Sequence, residues 1–213
     1  ACHAFGVKIN DISILNFGDL SVLSFHATKV FNTFEGGAIV CQDEKTKKRI
    51  DFLKNFGFAD EVTVIAPGIN AKMNEVQAAF GLLQLKYIDE AIEKRRKIAY
   101  RYCNLLKGVD GISYLDDLPG VKHNYPYFPI LIDSKRFGKT REEVYEEMKK
   151  NDIYTRRYFY PLISHFPAYR GLPSAAPDNL SNAEKVTSQV LCLPIHPNLT
   201  ETEIKQIIDI LLH

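Results

Sequence analysis

From about Asn74 to Leu106 the sequence carries one helical period without a break. Val76, Ala79, Phe80, Leu83, Leu85, Ile88, Ile92, Ile98, Ala99 and Leu105 recur at steps of three and four residues. That spacing gathers apolar side chains into a single stripe along a helix. Gly108 and Gly111 close the stretch. So long a period predicts a connecting helix, with a bend expected near Tyr87-Ile88-Asp89. It divides the chain into a part before and a part after, and any fold must be built around it.

The part before it reads as alternating strands and helices. Ser21–Phe25 and Ala38–Cys41 are short, β-branched apolar runs bounded by polar residues and glycines, the pattern of buried strands. Between them lies an irregular stretch that ends in the pair Gly36-Gly37. Asp43 is placed to cap a helix running to about Asn55, with Gly57 as its stop. Pro67-Gly68-Ile69-Asn70 is a further turn. The part after the long helix reads differently. Tyr125–Ile132 predicts a strand, which Pro126 and Pro129 confine to an edge or delay in its pairing. Thr140 is placed to cap a helix to about Lys150, with Glu142 and Glu143 in the first turn, where the helix dipole favours acids. A strand is expected at Asp152–Arg156, then a long loop with four prolines from Arg157 to Asn179. Long loops of this kind carry function or contacts. A short helix from Ser181 and a strand at Leu191–Leu193 follow. Thr200 and Glu203 form a capping box for a last helix that turns Ile204, Ile207, Ile208 and Leu211 inward. The expected class is α/β: part of a large domain over residues 1–86, a connecting helix over 87–110, and a small α+β domain over 111–213.

The bulk numbers remove several functions. The 213 residues are 46% hydrophobic and 25% charged, ordinary for a globular protein, and the net charge is +1. Neither a nucleic-acid backbone nor an anionic membrane is implied as a partner. Basic runs at Lys45–Arg49 and Lys94–Lys97 sit among acids and read as solvated helix faces. No apolar run approaches membrane-spanning length. The four cysteines are scattered, with no C-x-x-C pair, and the six histidines show no metal-ligand spacing. The expectation is a cytoplasmic protein with reduced cysteines and no metal site.

One residue invites a chemical reading. Lys29 lies just past an expected buried strand and just before a glycine turn. A lysine partly desolvated at the mouth of a sheet has a lowered pKa, and its neutral amine is a nucleophile. Ser24, at the strand's end, offers a hydroxyl to an anion, and Gly36-Gly37 lets the backbone pass close to a bound group. Read alone, these residues also suit a plain account. Most of the 27 lysines and arginines solubilise a surface. Asn70 is a common turn residue beside a glycine, and His3 is a loop histidine.

The segments taken together are more specific. Ser24-Phe25-His26-Ala27-Thr28-Lys29, followed by Asn32-Thr33-Phe34-Glu35-Gly36-Gly37-Ala38, resembles the cofactor-lysine segment of the DegT/DnrJ/EryC1/StrS aminotransferases, which are enzymes of pyridoxal phosphate with fold type I. Ala1-Cys2-His3-Ala4-Phe5-Gly6 resembles a second family segment, and Pro67 to Gly81 resembles the run G-x-N-x-[RK]-M-x-E-x-Q-A-A-x-G. Arg95-Arg96 with Tyr102, then Tyr160-Pro161-Leu162 and Leu193–Pro197, are similar to later segments, so the likeness covers nearly all of the chain. It implies that Lys29 binds the cofactor (pyridoxal or pyridoxamine phosphate) and carries the proton in catalysis. It implies that Ser24 binds the cofactor phosphate, that His3 lies beside the ring, and that Asn70 reaches the phosphate of the neighbouring subunit in a homodimer. His26, Arg156, Arg157, Tyr158 and Tyr160 become candidates for substrate contacts, against the alternative of a loop packed by its own aromatics.

Two departures bear on function. The aspartate that in the family pairs with the pyridine nitrogen belongs immediately before Ala1, so the chain is expected to be a carboxyl-terminal part of the enzyme and inactive alone. His-Ala-Thr-Lys-Val-Phe-Asn-Thr differs from the Tyr-Pro-x-Lys-Asn-Leu-Gly-Ala type of relatives acting at sugar C-3, and looks more like enzymes that aminate C-4. The implied reaction is amination of a dTDP-4-keto-6-deoxyhexose with glutamate as donor. The alternative is a truncated or degenerate homologue serving as a non-catalytic binding or regulatory subunit.

Overall fold

A computed structural model describes residues 1–213. In chain order its elements are β1 (Lys8–Ile9), β2 (Ile12–Ser13), β3 (Leu20–Ser24), β4 (Gly37–Cys41), α1 (Glu44–Leu53), α2 (Glu75–Gln84), α3 (Ile88–Leu106), β5 (Ile112–Tyr114), β6 (Val121–Lys122), β7 (Phe128–Ile132), α4 (Ser134–Phe137), α5 (Arg141–Lys150), α6 (Ser181–Gln189), β8 (Val190–Leu193) and α7 (Glu201–Leu212). No helix is long and apolar enough to cross a membrane. The backbone contacts resolve into two compact units. One holds Ala1–Glu93 and Asp117–Pro126, the other Lys94–Asp116 and Tyr127–His213. The division therefore departs from the expected limits at 86 and 110: residues 117–126 follow the long helix in sequence yet pack with the first unit.

In the first unit, β3 and β4 form an antiparallel pair in register from Leu20↔Cys41 to Ser24↔Gly37. The sheet expected beside Lys29 is thus antiparallel at this pair. The link between the two strands, residues 25–36, holds no helix, and a parallel crossover needs a dozen or more residues, usually with one. One face of the pair is buried through Leu23, which joins Phe25, Phe31, Ile88 and Ile92 in a core cluster, with Phe5 packed against it. The other face is open, with Leu20, Val22 and Ile39 each about half exposed. A small sheet in the order β2-β1-β6 completes the unit. The expected unbroken helix is two: the turn at Leu85–Tyr87 separates α2 from α3, at the place where a bend was expected. Asn74 caps α2 with a capping box to Gln77.

The second unit is a three-stranded antiparallel sheet in the order β5-β7-β8, packed by helices. The apolar stripe of α3 beyond residue 94 buries Ile98, Ala99, Tyr102 and Leu106. From α7, Ile204, Ile207, Ile208 and Leu211 turn inward as the period requires. The capping boxes stand at Thr140–Glu143 and Thr200–Glu203. The strand expected from Tyr125 begins only at Phe128. Tyr125 has φ +49°, outside the extended region, and Pro126 and Tyr127 precede the first paired residue. The strand expected over 152–156 reduces to a single bridge, Arg156 with Cys192. All four cysteines are free thiols.

Candidate active site

The residues that flank Lys29 are fixed by packing, and Lys29 itself is not part of the core. Beyond the last rung of β3 and β4, the amide of Phe25 donates to Gly36 O (2.8 Å) and the amide of Thr33 to Phe25 O (2.9 Å). The buried Thr33 hydroxyl donates to Glu35 O at 2.8 Å. The Phe31 ring stacks on Phe5 at 4.3 Å and meets Phe25 edge-on at 4.8 Å. Aromatic pairs of this kind add to the value of the area they bury. Gly36, at φ +152°, closes the loop where an added Cβ would stand 2.5 Å from Thr33 Oγ1, so no larger residue fits. The apolar anchors at 23, 25 and 31 thus hold the ends of the loop, with Val30 packed against the same cluster, and His26 to Lys29 lie between them outside it.

Within that loop the amide of Lys29 donates to His26 O (2.9 Å), and the amide of His26 approaches Ser24 Oγ (3.4 Å). The amide of Thr28 donates to His26 Nδ1 (3.2 Å). An accepting Nδ1 carries no proton in the neutral ring, so the proton sits on Nε2, which lies 3.6 Å from Glu35 Oε1. Ser24, Thr28 and Lys29 are half-buried, and His26 is exposed.

Lys29 Nζ lies 3.1 Å from His3 Nδ1. Burial, and after it the charge on Lys29, hold the His3 imidazole below its ordinary pKa. An unprotonated Nδ1 accepts from Lys29 Nζ, so the two groups form a donor–acceptor pair. The structure therefore brings together Ser24, His26, Lys29 and His3 around one loop.

Asn70 stands elsewhere in the same unit. It is exposed, on a loop that runs antiparallel to residues 53–57, with Ile69 N donating to Leu53 O and Ala71 N to Lys54 O (both 2.9 Å). Gly57 and Gly68 allow this: an added Cβ on Gly68 would lie 2.3 Å from Gly57 N.

Arg156, Arg157, Tyr158 and Tyr160 belong to the second unit, where they form an aromatic and basic cluster. Arg156 donates to Tyr158 Oη at 2.9 Å, and the Tyr158 ring lies 4.6 Å from Tyr127. Burial first, and then the hydrogen bond to Tyr158, push the Tyr127 phenol well above its ordinary range. Arg157 pairs with Glu142 and lies over Tyr145 at 4.2 Å. Tyr160 receives two guanidinium groups, Arg141 at 4.7 Å and Arg157 at 5.4 Å. The loop's arginines and tyrosines are thus held by partners on α5 and at Tyr127, while Arg156 and Tyr160 remain exposed.

Two residues of the first unit were given no role by the sequence reading. Met73 Sδ lies 3.7 Å from the Thr33 hydroxyl. Asn124, almost wholly buried, donates to His3 O (2.8 Å) and Phe5 O (2.9 Å). Asn124 lies in Lys122-His123-Asn124-Tyr125-Pro126, where an amide close before a proline reads as a turn residue.

Comparison with known proteins extends this geometry. A model described as the DegT/DnrJ/EryC1/StrS aminotransferase family matches residues 1–212. A dTDP-4-amino-4,6-dideoxy-D-glucose transaminase of Escherichia coli is 51% identical over 213 residues, which are 100% of this chain and 57% of the relative. A protein of the same name from Shigella dysenteriae is 46% identical over 98% of this chain and 56% of its own. Among solved structures, DesI in the presence of its TDP-sugar product superposes with a TM-score of 0.91 at 36% identity, covering 100% of this chain and 53% of that one. The Helicobacter pylori aminotransferase PseC, involved in the biosynthesis of pseudoaminic acid, gives 0.90 at 30% identity over 100% and 57%. The chain spans little more than half the length of the relatives it matches.

Proposed function

Because the chain belongs to the DegT/DnrJ/EryC1/StrS aminotransferase family and has the α/β fold of its sugar aminotransferases, we propose that the full-length protein is a pyridoxal-phosphate-dependent aminotransferase. It installs an amine on a keto group of a nucleotide-linked deoxysugar. The site proposed is C-4 of dTDP-4-keto-6-deoxyglucose, and the donor is glutamate. The observation that carries the reading is the half-buried Lys29 amine held 3.1 Å from the His3 imidazole at the mouth of the β3–β4 pair. The names of the two transaminases at 51% and 46% identity support the sugar and the position.

The chemistry of the donor set suits a phosphate-bearing aldehyde. Lys29 offers an amine for the aldehyde and Ser24 a hydroxyl for the phosphate. Pyridoxal phosphate, when bound, supplies the electron sink that makes a carbon-bound proton removable. Lys29 Nζ takes that proton and returns it, acting in turn as base and acid. His3 orients Nζ by accepting from it. His26, exposed on the same loop as Lys29, meets the sugar in this reading, which its exposure supports. Arg156 and the phenols of Tyr158 and Tyr160 contribute to binding the diphosphate or the donor's carboxylate, by charge and by a planar fork of donors. Asn70, on its exposed loop, serves the phosphate of a second copy, which makes the protein a homodimer. The test is a spectral and amino-transfer assay of the full-length protein with glutamate and a panel of nucleotide keto-sugars. The expected result is a visible cofactor band that changes with glutamate, and amine product from the dTDP-4-keto sugar. No cofactor band, or transfer only to a 3-keto sugar, would contradict the proposal.

A further inference from the structure

We propose that Asn124 is a positioning residue, which fixes the backbone of His3 and Phe5 so that the His3 imidazole is presented to Lys29 Nζ. The inference rests on the reading of Lys29 given above and adds a residue from a segment more than ninety positions away in sequence.

The amide is only 1% exposed, and its nitrogen donates to two carbonyls, His3 O at 2.8 Å and Phe5 O at 2.9 Å. Its orientation is dictated by chemistry: turned over, the amide oxygen would face two carbonyl oxygens with no hydrogen between them. The turn bonds of the opening segment use the carbonyls of Ala1 and Ala4, while those of His3 and Phe5 take their hydrogen from Asn124. The two gripped residues bracket Lys29. His3 meets its Nζ at 3.1 Å, and Phe5 stacks on Phe31, two residues farther along the lysine loop, at 4.3 Å with the rings 10° apart. A single side chain therefore sets both contacts.

The segment that delivers Asn124 is itself tightly tied to the first unit. β6 pairs with β1 through Val121↔Ile9 and Lys122↔Lys8, and Asn10 N donates to Gly120 O at 2.8 Å. On the other side, Tyr125 adopts φ +49°, a left-handed conformation that a bulky aromatic holds only when its surroundings impose it. Its hydroxyl meets Asp117 at 2.5 Å and its amide donates to His123 Nδ1 at 3.1 Å. A strained residue next to a buried, doubly donating amide marks a backbone shaped to aim that amide.

A purely structural role would also bury Asn124, so the test must separate the two. In the full-length protein, Asn124→Ala and the milder Asn124→Ser are compared with Val121→Ala, which loosens β6 but leaves the amide. Three quantities are read: the NMR titration of selectively labelled His3 in cofactor-free protein, the affinity for pyridoxal phosphate, and the melting temperature. The His3 midpoint is expected to move up toward the ordinary imidazole value in both Asn124 variants, and cofactor affinity to fall on the order of tenfold in Asn124→Ala, as befits the loss of two buried hydrogen bonds. Val121→Ala changes only the melting temperature. If His3 titration and cofactor affinity are unchanged in the Asn124 variants, or follow the melting temperature equally in all three proteins, the positioning role is overturned. If the His3 midpoint moves but no variant nor the parent binds pyridoxal phosphate, the positioning role stands and the aminotransferase reading fails.

Discussion

The two units of this chain are finished to different degrees. The second unit buries its sheet and leaves Tyr154, Phe159, Tyr160 and Ile163 half or more exposed outside it. Its middle strand β7 buries Phe128, Ile130 and Ile132, β8 is buried at every position, and α5 packs on β8, α6 on β7 and Tyr102 of α3 on Phe128. The first unit buries one face of its hairpin and leaves the other open, and Val62, Val64, Ile65, Ile69, Val76, Leu82 and Leu85 are exposed elsewhere in it. The groups with the most pointed chemistry, Lys29, His3, Ser24 and His26, all lie in the first unit. One unit is built on a buried three-stranded sheet, and the other carries the Lys29 amine on a loop whose ends are held by Leu23, Phe25 and Phe31.

The widest separation between the units concerns activity. In the full-length protein, Lys29→Ala is expected to lower amino transfer on the order of 10⁴-fold, the upper range of a positioned proton-transferring group, with the melting temperature nearly unchanged. Steady-state rates beside a melting curve check this, and appreciable turnover in the variant would break the distinction. Next comes stability. Ile130, wholly buried in β7, should cost about 2–5 kcal/mol when cut to Ala. Val22, about half exposed on the hairpin's open face, should cost within about 0.5 kcal/mol when changed to Ser in the 213-residue chain. Chemical denaturation measures both, and equal costs would mean that the open face is covered. A smaller effect lies at the helix start. Thr200→Ala removes a hydroxyl that accepts from Glu203 N at 3.3 Å and should cost about 1 kcal/mol, felt by the second unit.

The subtlest contrast is with pH. His3 and His123, both in the first unit, are held below the ordinary imidazole value, burial being the first cause for each. The unfolded chain then takes up protons before the folded one, so the first unit loses stability as pH falls below about 6.5. In the second unit, burial pushes the Cys192 thiol up to about 11. The unfolded thiol ionises first, so that unit loses stability as pH rises from about 9 toward 11. Hydrogen exchange of each unit against pH should show acid sensitivity in the first and alkaline sensitivity in the second. The reverse pattern would contradict the assignment.

Local signals were legible wherever a residue answers to its neighbours along the chain. The caps at Asp43, Thr140 and Thr200 and the inward stripe of α7 stand where their spacing put them. Lys29 was singled out by the resemblance of its segment, since a strand, a hydroxyl and a glycine pair within a few residues suit a surface lysine as well. Strand direction was not legible, since apolar runs of this length read alike in parallel and antiparallel pairs. Nor was Tyr125, whose aromatic side chain favours a strand while contacts to Asp117 and His123 impose a left-handed turn. Asn124 was hidden for the same reason, because its partners His3 and Phe5 are remote in sequence and nothing local distinguishes a clamping amide from a turn residue.

The most direct trial of this account is chemical. Full-length protein mixed with pyridoxal phosphate is reduced with borohydride, digested and mapped by mass spectrometry. The account predicts one dominant cofactor adduct, carried on the peptide containing Lys29 and lost in Lys29→Ala. An adduct on another lysine, such as Lys72, with Lys29 unmodified, would contradict it.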